Sequence, residues 1–251
     1  MRELIVRGLK AAANAAGYTI WKRSGLHYGL SVYEDVNRLS TLLDRPVATV
    51  FDVGANQGQS CRKMLDLFRS ARVYAFEPHP KTFERLAALN HARVSPFNLA
   101  LGDREGEAIL HEYGAEGLES LVNSLSPNAP FAARHGWKSR EIKVRCVTLD
   151  TFCTEHDVAQ IDLLKIDTEG FDLFVLKGAH QLLSDGRIGF VYVEFNDLLP
   201  QPGSAGGALL PIAEYLSPFG FKFIASYTDY VLTEGDLFVC ANALFAVPAM
   251  G

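Results

Sequence analysis

Val50-Phe51-Asp52-Val53-Gly54-Ala55-Asn56-Gln57-Gly58-Gln59-Ser60 decides how the rest of the chain is read. A short apolar run with β-branched residues meets a glycine-containing bend, and a helix-like pattern begins at Gln59. Strand, tight turn and helix start, in that order, place a nucleotide-type ligand over the helix N-terminus. Gly54 and Gly58, four residues apart, let the backbone turn sharply and approach a ligand that a Cβ would exclude. Asn56 stands where a dinucleotide fingerprint puts its second glycine, the one that lets the main chain press on a pyrophosphate. Its identity argues for a ligand without a pyrophosphate. No Lys-Ser/Thr pair follows Gly58, so a phosphate-cradling P-loop is excluded.

Outward from this loop the pattern alternates. Val47 to Val53 reads as the first strand, Gln59 to Phe68 as a helix, and Arg72 to Phe76 as a second strand ending in Glu77-Pro78. Glu77 follows Gly54 by 23 positions, which in a doubly wound sheet puts a carboxylate where a ribose diol is gripped. That suits NAD as well as an adenosyl ribose. Pro80 to Asn90 reads as a helix and Val94 to Leu101 as a third strand, with Leu99, Ala100 or Asp103 at the edge where an adenine would lie. Ala108 to Tyr113 and Ile142 to Leu149 read as strands around a substrate-side flap, residues 114–140, that contains Ser124, His135 and Trp137. Asp150 is expected to cap the next helix. Ile161 to Ile166 is a buried strand running into Asp167-Thr168-Glu169-Gly170. Asp172 to Leu183 reads as one helix with His180 on its inner face, and Ile188 to Phe195 as a strand with Glu194 near its end. A helix over Leu209–Leu216 and strands near residues 221–226 and 237–245 complete an α/β sheet with helices on both faces.

At 251 residues the chain is long enough for one such domain with a full core. Its 48% hydrophobic and 21% charged residues fit a globular protein, and a net charge of −5 gives no support to nucleic-acid binding. The four cysteines form no Cys-x-x-Cys pair or zinc-type cluster, so buried reduced thiols and a cytoplasmic setting are expected. Residues 1–46 read as an N-terminal helical cap before a domain spanning 47–251. The first 30 residues carry five Lys/Arg against Glu3 alone. Leu4, Ile5, Leu9, Ala12, Ala13 and Ala16 share one helical face there. That helix is expected to pack on the core with its basic face in water. The sharper alternative is a weak contact with the inner face of a membrane or an anionic glycolipid.

Several motifs then coincide, and the chain resembles the FkbM-type S-adenosylmethionine-dependent methyltransferases. Asp52-x-Gly54-x-x-x-Gly58 matches the glycine turn common to many methyltransferases. Phe76-Glu77-Pro78-His79-Pro80, Asn98 to Asp103, Thr148-Leu149-Asp150, Leu164 to Phe171, Leu176 to Ala179 and Val193-Glu194 follow in order. The strand Leu164-Lys165-Ile166-Asp167-Thr168-Glu169-Gly170 is the most specific piece. Thr168 stands where the family usually has an aliphatic residue, and the family's Ser-Ser-Leu survives only as Ser124-Leu125. The resemblance implies a Rossmann-like seven-stranded methyltransferase sheet with its last strand antiparallel. It also implies S-adenosyl-L-methionine as cofactor, with S-adenosyl-L-homocysteine as product. Methyl transfer to a hydroxyl of a sugar, glycolipid or glycosylated natural product follows as the implied activity.

For the cofactor the expected residues are Asp52, Gly54, Asn56, Gly58, Glu77, Pro78, Ala100, Asp103 and Asp167, with Asp52 and nearby amides holding the methionine end. Methyl transfer from a sulfonium is an in-line displacement, so alignment and loss of the acceptor proton are what the protein supplies. Asp167, Glu169 and Glu194 are the expected catalytic carboxylates, with His79 and His135 as alternatives. No metal site is read from the sequence. A divalent ion shared by those three carboxylates would lower a hydroxyl pKa, but spacing alone does not establish one. A non-catalytic adenosyl-binding protein, an N- or carboxyl methyltransferase and an NAD-dependent oxidoreductase remain alternatives, the last opposed by Asn56.

Overall fold

A computed structural model of the chain describes residues 2–17, 27–114, 122–127, 129, 132, 135–200, 207–232 and 238–248. The main sheet has seven strands. In chain order these are β1 (Thr49–Val53), β2 (Arg72–Phe76), β3 (Val94–Phe97), β8 (Ile161–Ile166), β9 (Ile188–Phe195), β10 (Lys222–Leu232) and β11 (Phe238–Ala246). Their spatial order is β10-β11-β9-β8-β1-β2-β3, and β11 runs antiparallel to both neighbours. The expected Rossmann-like sheet with an antiparallel last strand is therefore present. The order reverses beside β1, which pairs in parallel with β2 on one side and β8 on the other. Ligands of open α/β sheets bind at that crevice.

Period-2 alternation sorts the strands' side chains onto two faces. Phe51, Phe76, Leu164 and Val191 face a core closed by α5 (Leu149–Glu155), α6 (Asp172–Lys177), α7 (His180–Ser184) and α8 (Leu209–Leu216). Val50, Leu163 and Phe190 face the other core. There α2 (Val32–Leu42) contributes Val32 and Val36, and α3 (Gln59–Leu67) contributes Cys61, Met64 and Leu65. Asp52 and Lys165, cross-strand partners in the β1–β8 register, point to this second face beneath α3. Near their other ends the two strands are tied by Asp162, whose carboxylate accepts from the Ala48 and Thr49 amides at 2.8 Å each.

Four differences from the sequence reading matter. The third strand ends at Phe97, and Ala100–Leu101 forms β4 in a second sheet ordered β4-β7-β5-β6. At the break the Asn98 amide donates to the carbonyls of Glu77 and Pro78, which bends the chain toward the ligand crevice. The second sheet's long arms, β5 (Gly106–Gly114) and β7 (Lys138–Val147), pair antiparallel and exceed the strands expected there. The short β6 (Val122–Ser124) returns along β5. Much of the expected flap, 114–140, lies outside the described residues.

The helix expected over 172–183 is two helices. Gly178 abuts the turn after β4, where a Cβ would stand 1.9 Å from the Gly102 carbonyl oxygen, and the helix breaks there. Asp150 therefore caps a different helix from the one expected. Thr148 Oγ1 caps α5 by accepting from the Thr151 amide, while the Asp150 carboxylate accepts from Gln181 and Leu182 at the start of α7. The break also turns His180 out of the core. It is exposed, with Nδ1 3.3 Å from the Tyr215 hydroxyl. Finally, α1 (Arg2–Ala15) does not pack as expected: Ile5 and Leu9 are each 58% exposed. By contrast α2 is bound to the sheet, its Asp35 accepting from the Gly29 amide and the Tyr227 hydroxyl. No described helix is long and apolar enough to cross a membrane. All four cysteines are buried.

Candidate active site

The β1–α3 loop crosses the top of β2, with the Gly54 and Ala55 amides donating to the Phe76 carbonyl at 3.0 and 2.9 Å. Gly54 adopts φ +77, and a Cβ on it would lie 1.8 Å from the Asp167 carbonyl oxygen. Only glycine lets the two strand ends meet this closely. Asn56 also has a positive φ, +49, a region asparagine tolerates better than most residues. Its amide donates to Glu77 Oε2 at 3.1 Å, while the His79 amide donates to Oε1 at 2.8 Å. Glu77 is thus buried and aimed by two main-chain donors, with lone pairs left over. Burial pushes its carboxyl up to about 7, against the pull of those two amides.

Beneath the loop lies a group that the sequence reading did not single out. Lys165, buried in β8, has Nζ 3.0 Å from Asp52 Oδ1 and 3.2 Å from Asp167 Oδ2. The same ammonium lies 3.4 Å from the Gly54 carbonyl oxygen. Burial alone would lower its pKa, but the charges of Asp167 and Asp52 hold it well above the ordinary lysine range. Asp52 also accepts from Ser60 Oγ at 2.5 Å and from Cys61 Sγ at 3.2 Å. Fully enclosed in this way, the Asp52 carboxylate supports the loop from below, and its influence on a ligand passes through the loop and Lys165. A lysine inside an otherwise apolar strand was the available signal: nothing buries an ammonium except paired carboxylates.

One cavity brings many of the expected residues together. Gly54, Asn56, Glu77, Pro78, Ala100 and Asp167 line it, with apolar walls from Phe76, Leu99 and Phe171. Thr168, Glu169, Asn123 and Leu125 line it as well. Gly58 and Asp103 are not among its lining residues. Gly58 instead starts α3 at φ +82, and Asp103 pairs with Arg104 at 3.7 Å. A second cavity on the α2–α3 side shares Gly54, Asn56 and Asp167 with the first and adds Gln59, Ser60 and Lys63. Asp167 thus stands where the two cavities meet.

The loop after β8 is strained and tightly held. Glu169 has φ +54, unusual for a residue with a side chain. Ser124 Oγ lies 2.8 Å from the Glu169 carbonyl oxygen and 3.1 Å from that of Thr168, so β6 is tied to this loop. Asp172 accepts from the Thr168 and Gly170 amides at 3.2 and 3.1 Å. Burial, followed by the charges of Asp167 and Asp172, pushes Glu169 up to about 8. Burial and the charges of Glu169, Asp167 and Asp172 raise Glu194 well above the carboxylate range. Asp167, Glu169 and Glu194 converge as expected, but Glu194 lies outside both cavity linings, with Oε1 taking the Cys240 thiol at 2.9 Å. Of the alternative bases, His79 caps α4 (Pro80–Ala87) and faces Glu112 at 3.3 Å. His135 stacks near Trp137, ring centroids 5.3 Å apart.

Sheet order, glycine turn and cavity are those of an S-adenosylmethionine-dependent methyltransferase. The model of the methyltransferase FkbM domain matches residues 52–223, and the chain belongs to that family. Among its relatives, the 2-O-methyltransferase NoeI of Sinorhizobium fredii is 28% identical over 210 residues, covering 80% of this chain and 82% of that protein. The 31-O-demethyl-FK506 methyltransferase FkbM of Streptomyces tacrolimicus is 29% identical over 208 residues, covering 72% and 75%. The hexuronic acid methyltransferase AglP of Haloferax volcanii is 29% identical over 167 residues, covering 65% of this chain and 62% of AglP.

Proposed function

We propose that the chain transfers a methyl group from S-adenosylmethionine to a hydroxyl of a sugar, glycolipid or glycosylated natural product. The observation that carries this reading is a single cavity lined by Glu77, Asp167 and Glu169 together. The residues fit the cofactor: Glu77 accepts from a ribose diol, Leu99, Ala100 and Phe171 flank a flat base, and the Gly54 turn admits close approach of the ligand. Gln59, Ser60 and Lys63 suit the amino-acid end in the adjoining cavity. Bound there, S-adenosylmethionine supplies a methyl carbon on a sulfonium already activated by its charge. Glu169, beside Asp167, then receives the proton of the acceptor hydroxyl, a contribution of about 10²–10⁴-fold. Relatives named a 2-O-methyltransferase and a 31-O-demethyl-FK506 methyltransferase support an oxygen acceptor, and one named for a hexuronic acid supports a sugar-like one.

The deciding experiment incubates the chain with methyl-labelled S-adenosylmethionine and separate soluble-glycan, glycolipid and small-metabolite fractions, followed by mass spectrometry. A labelled ether on a hydroxyl is expected. A labelled amine or ester, or bound cofactor with no labelled product in any fraction, would overturn the reading. The exposed Ile5 and Leu9 beside Arg7 and Lys10 favour the glycolipid fraction, since such a helix suits an anionic membrane surface.

Glu77 makes a second, independent prediction. Its folded pKa of about 7 lies above the 4.5 of an exposed glutamate, so the native state holds this proton through that window. The stability it contributes is present below the lower value and lost as the pH rises to the upper one. Hydroxyl donors favour the ionised carboxylate, so S-adenosylhomocysteine should bind more tightly as the pH rises and level off above about 7. Calorimetric titration across that range should show the slope in the wild type and its loss in Glu77→Gln. An equal slope in both would refute the role.

A further inference from the structure

Asp167, Glu169 and Glu194 each bring a carboxylate oxygen to within 4.8 Å of the other two. Oxygens on one ion cannot lie farther apart than twice the metal–oxygen distance, roughly 4.1 Å for magnesium and about 4.6–5.2 Å for calcium. Three oxygens inside that limit can converge on one hard divalent cation once the side chains close on it. Glu194 supplies a separate observation: it is 6% exposed, and its Oε2 has no hydrogen-bond partner. A buried carboxylate oxygen is costly to leave without a donor or a positive charge. Among the described residues the ion pairs of Lys165 go to Asp52 and Asp167, and the Cys240 thiol reaches Oε1. Oxygen-only ligands select magnesium, manganese or calcium over softer metals.

We propose that Asp167, Glu169 and Glu194 bind one hard divalent cation beside the transfer site, and that this cation holds the acceptor hydroxyl. Its catalytic role rests on the methyl-transfer reading, while the binding site itself does not. Coordination lowers the pKa of a bound hydroxyl. The hydroxyl oxygen then bonds to the methyl carbon as the carbon–sulfur bond breaks, and the proton leaves to the carboxylate oxygen of Glu169 that the ion does not use. Glu194, outside the cavity linings, acts on the metal rather than on the acceptor.

Manganese is the probe, titrated into the full chain with loss of the free-ion electron paramagnetic resonance signal as readout, with and without S-adenosylhomocysteine. One site is expected in the wild type, weakened at least tenfold in Glu194→Gln and in Glu169→Gln, while Glu194→Gln still binds S-adenosylhomocysteine like the wild type. Neutralising a buried carboxylate should not lower the melting temperature of Glu194→Gln in EDTA, which separates a lost ligand from a lost fold. No manganese site in the wild type, or wild-type affinity in either variant, would overturn the proposal. Failure of S-adenosylhomocysteine to bind would instead count against the methyltransferase reading and leave the metal result intact.

Discussion

Lys165→Met is expected to destabilise the fold by about 3–5 kcal/mol, because it leaves a buried partner charge uncompensated. Asp52, 0% exposed, would keep only the Ser60 hydroxyl and the Cys61 thiol as donors. Urea unfolding of the variant beside the wild type measures the loss directly. Adding Asp52→Asn to Lys165→Met should restore more than half of the loss, since both charges are then gone. Cofactor affinity should not return with the stability, because the Gly54 carbonyl and Asp167 have lost their common anchor. A single variant within about 1 kcal/mol of the wild type would mean that solvent reaches the pair and that the buried-pair magnitude does not apply.

Gly54→Ala is expected to be nearly as damaging, and for a reason that involves no charge. The new methyl would stand 1.8 Å from the Asp167 carbonyl oxygen and 2.8 Å from its carbon, and both are backbone atoms at the end of a buried strand. Neither side can yield without separating β1 from β8. The left-handed φ adds its own penalty, so a total of roughly 2–5 kcal/mol is expected, with loss of S-adenosylhomocysteine binding. Gly58→Ala is the informative control. Its backbone is equally left-handed, but the clash is with Leu89 Cδ1 at 2.2 Å, the end of a side chain that can rotate away. The first variant should therefore lose both stability and ligand, and the second mainly some stability. If the two behave alike in ligand binding, the contact between strand ends is not what shapes the cavity.

The contrast shows which parts of the molecule are legible from residue order. The glycine turn, Glu77 and the strand running into Asp167 are local: each is a few residues whose types and spacing have one economical backbone solution. The break after Phe97 is not local, because it depends on Asn98 finding the Glu77 and Pro78 carbonyls across the crevice. The helix break at Gly178 is likewise made by Gly102, remote in sequence, and the helical periodicity continues through it undisturbed. Lys165 could be read as one more charge until Asp52 and Asp167 are placed around it. The convergence of Glu194 with Glu169 needed the parallel register of β8 and β9, which no motif states. The N-terminal helix shows the opposite error. An apolar face in the sequence implied a packing partner, yet the described part of that helix touches little of the core.

Ser124 adds a main-chain contact between two sheets that also share Leu101 and Val147 in one core. The second sheet has its own small core of Ala100, Leu110, Val144 and Cys146, distinct from the two cores of the main sheet. Ser124 meets the carboxylate loop on main-chain carbonyls, a contact that does not depend on which side chains that loop carries. Side chains on the hairpin's open face can thus be exchanged without disturbing the strand ends around Gly54 and Asp167. Heredity can vary one wall of the cavity and leave the glycine turn untouched, a freedom suited to a family whose members are named for compounds as different as a hexuronic acid and demethyl-FK506.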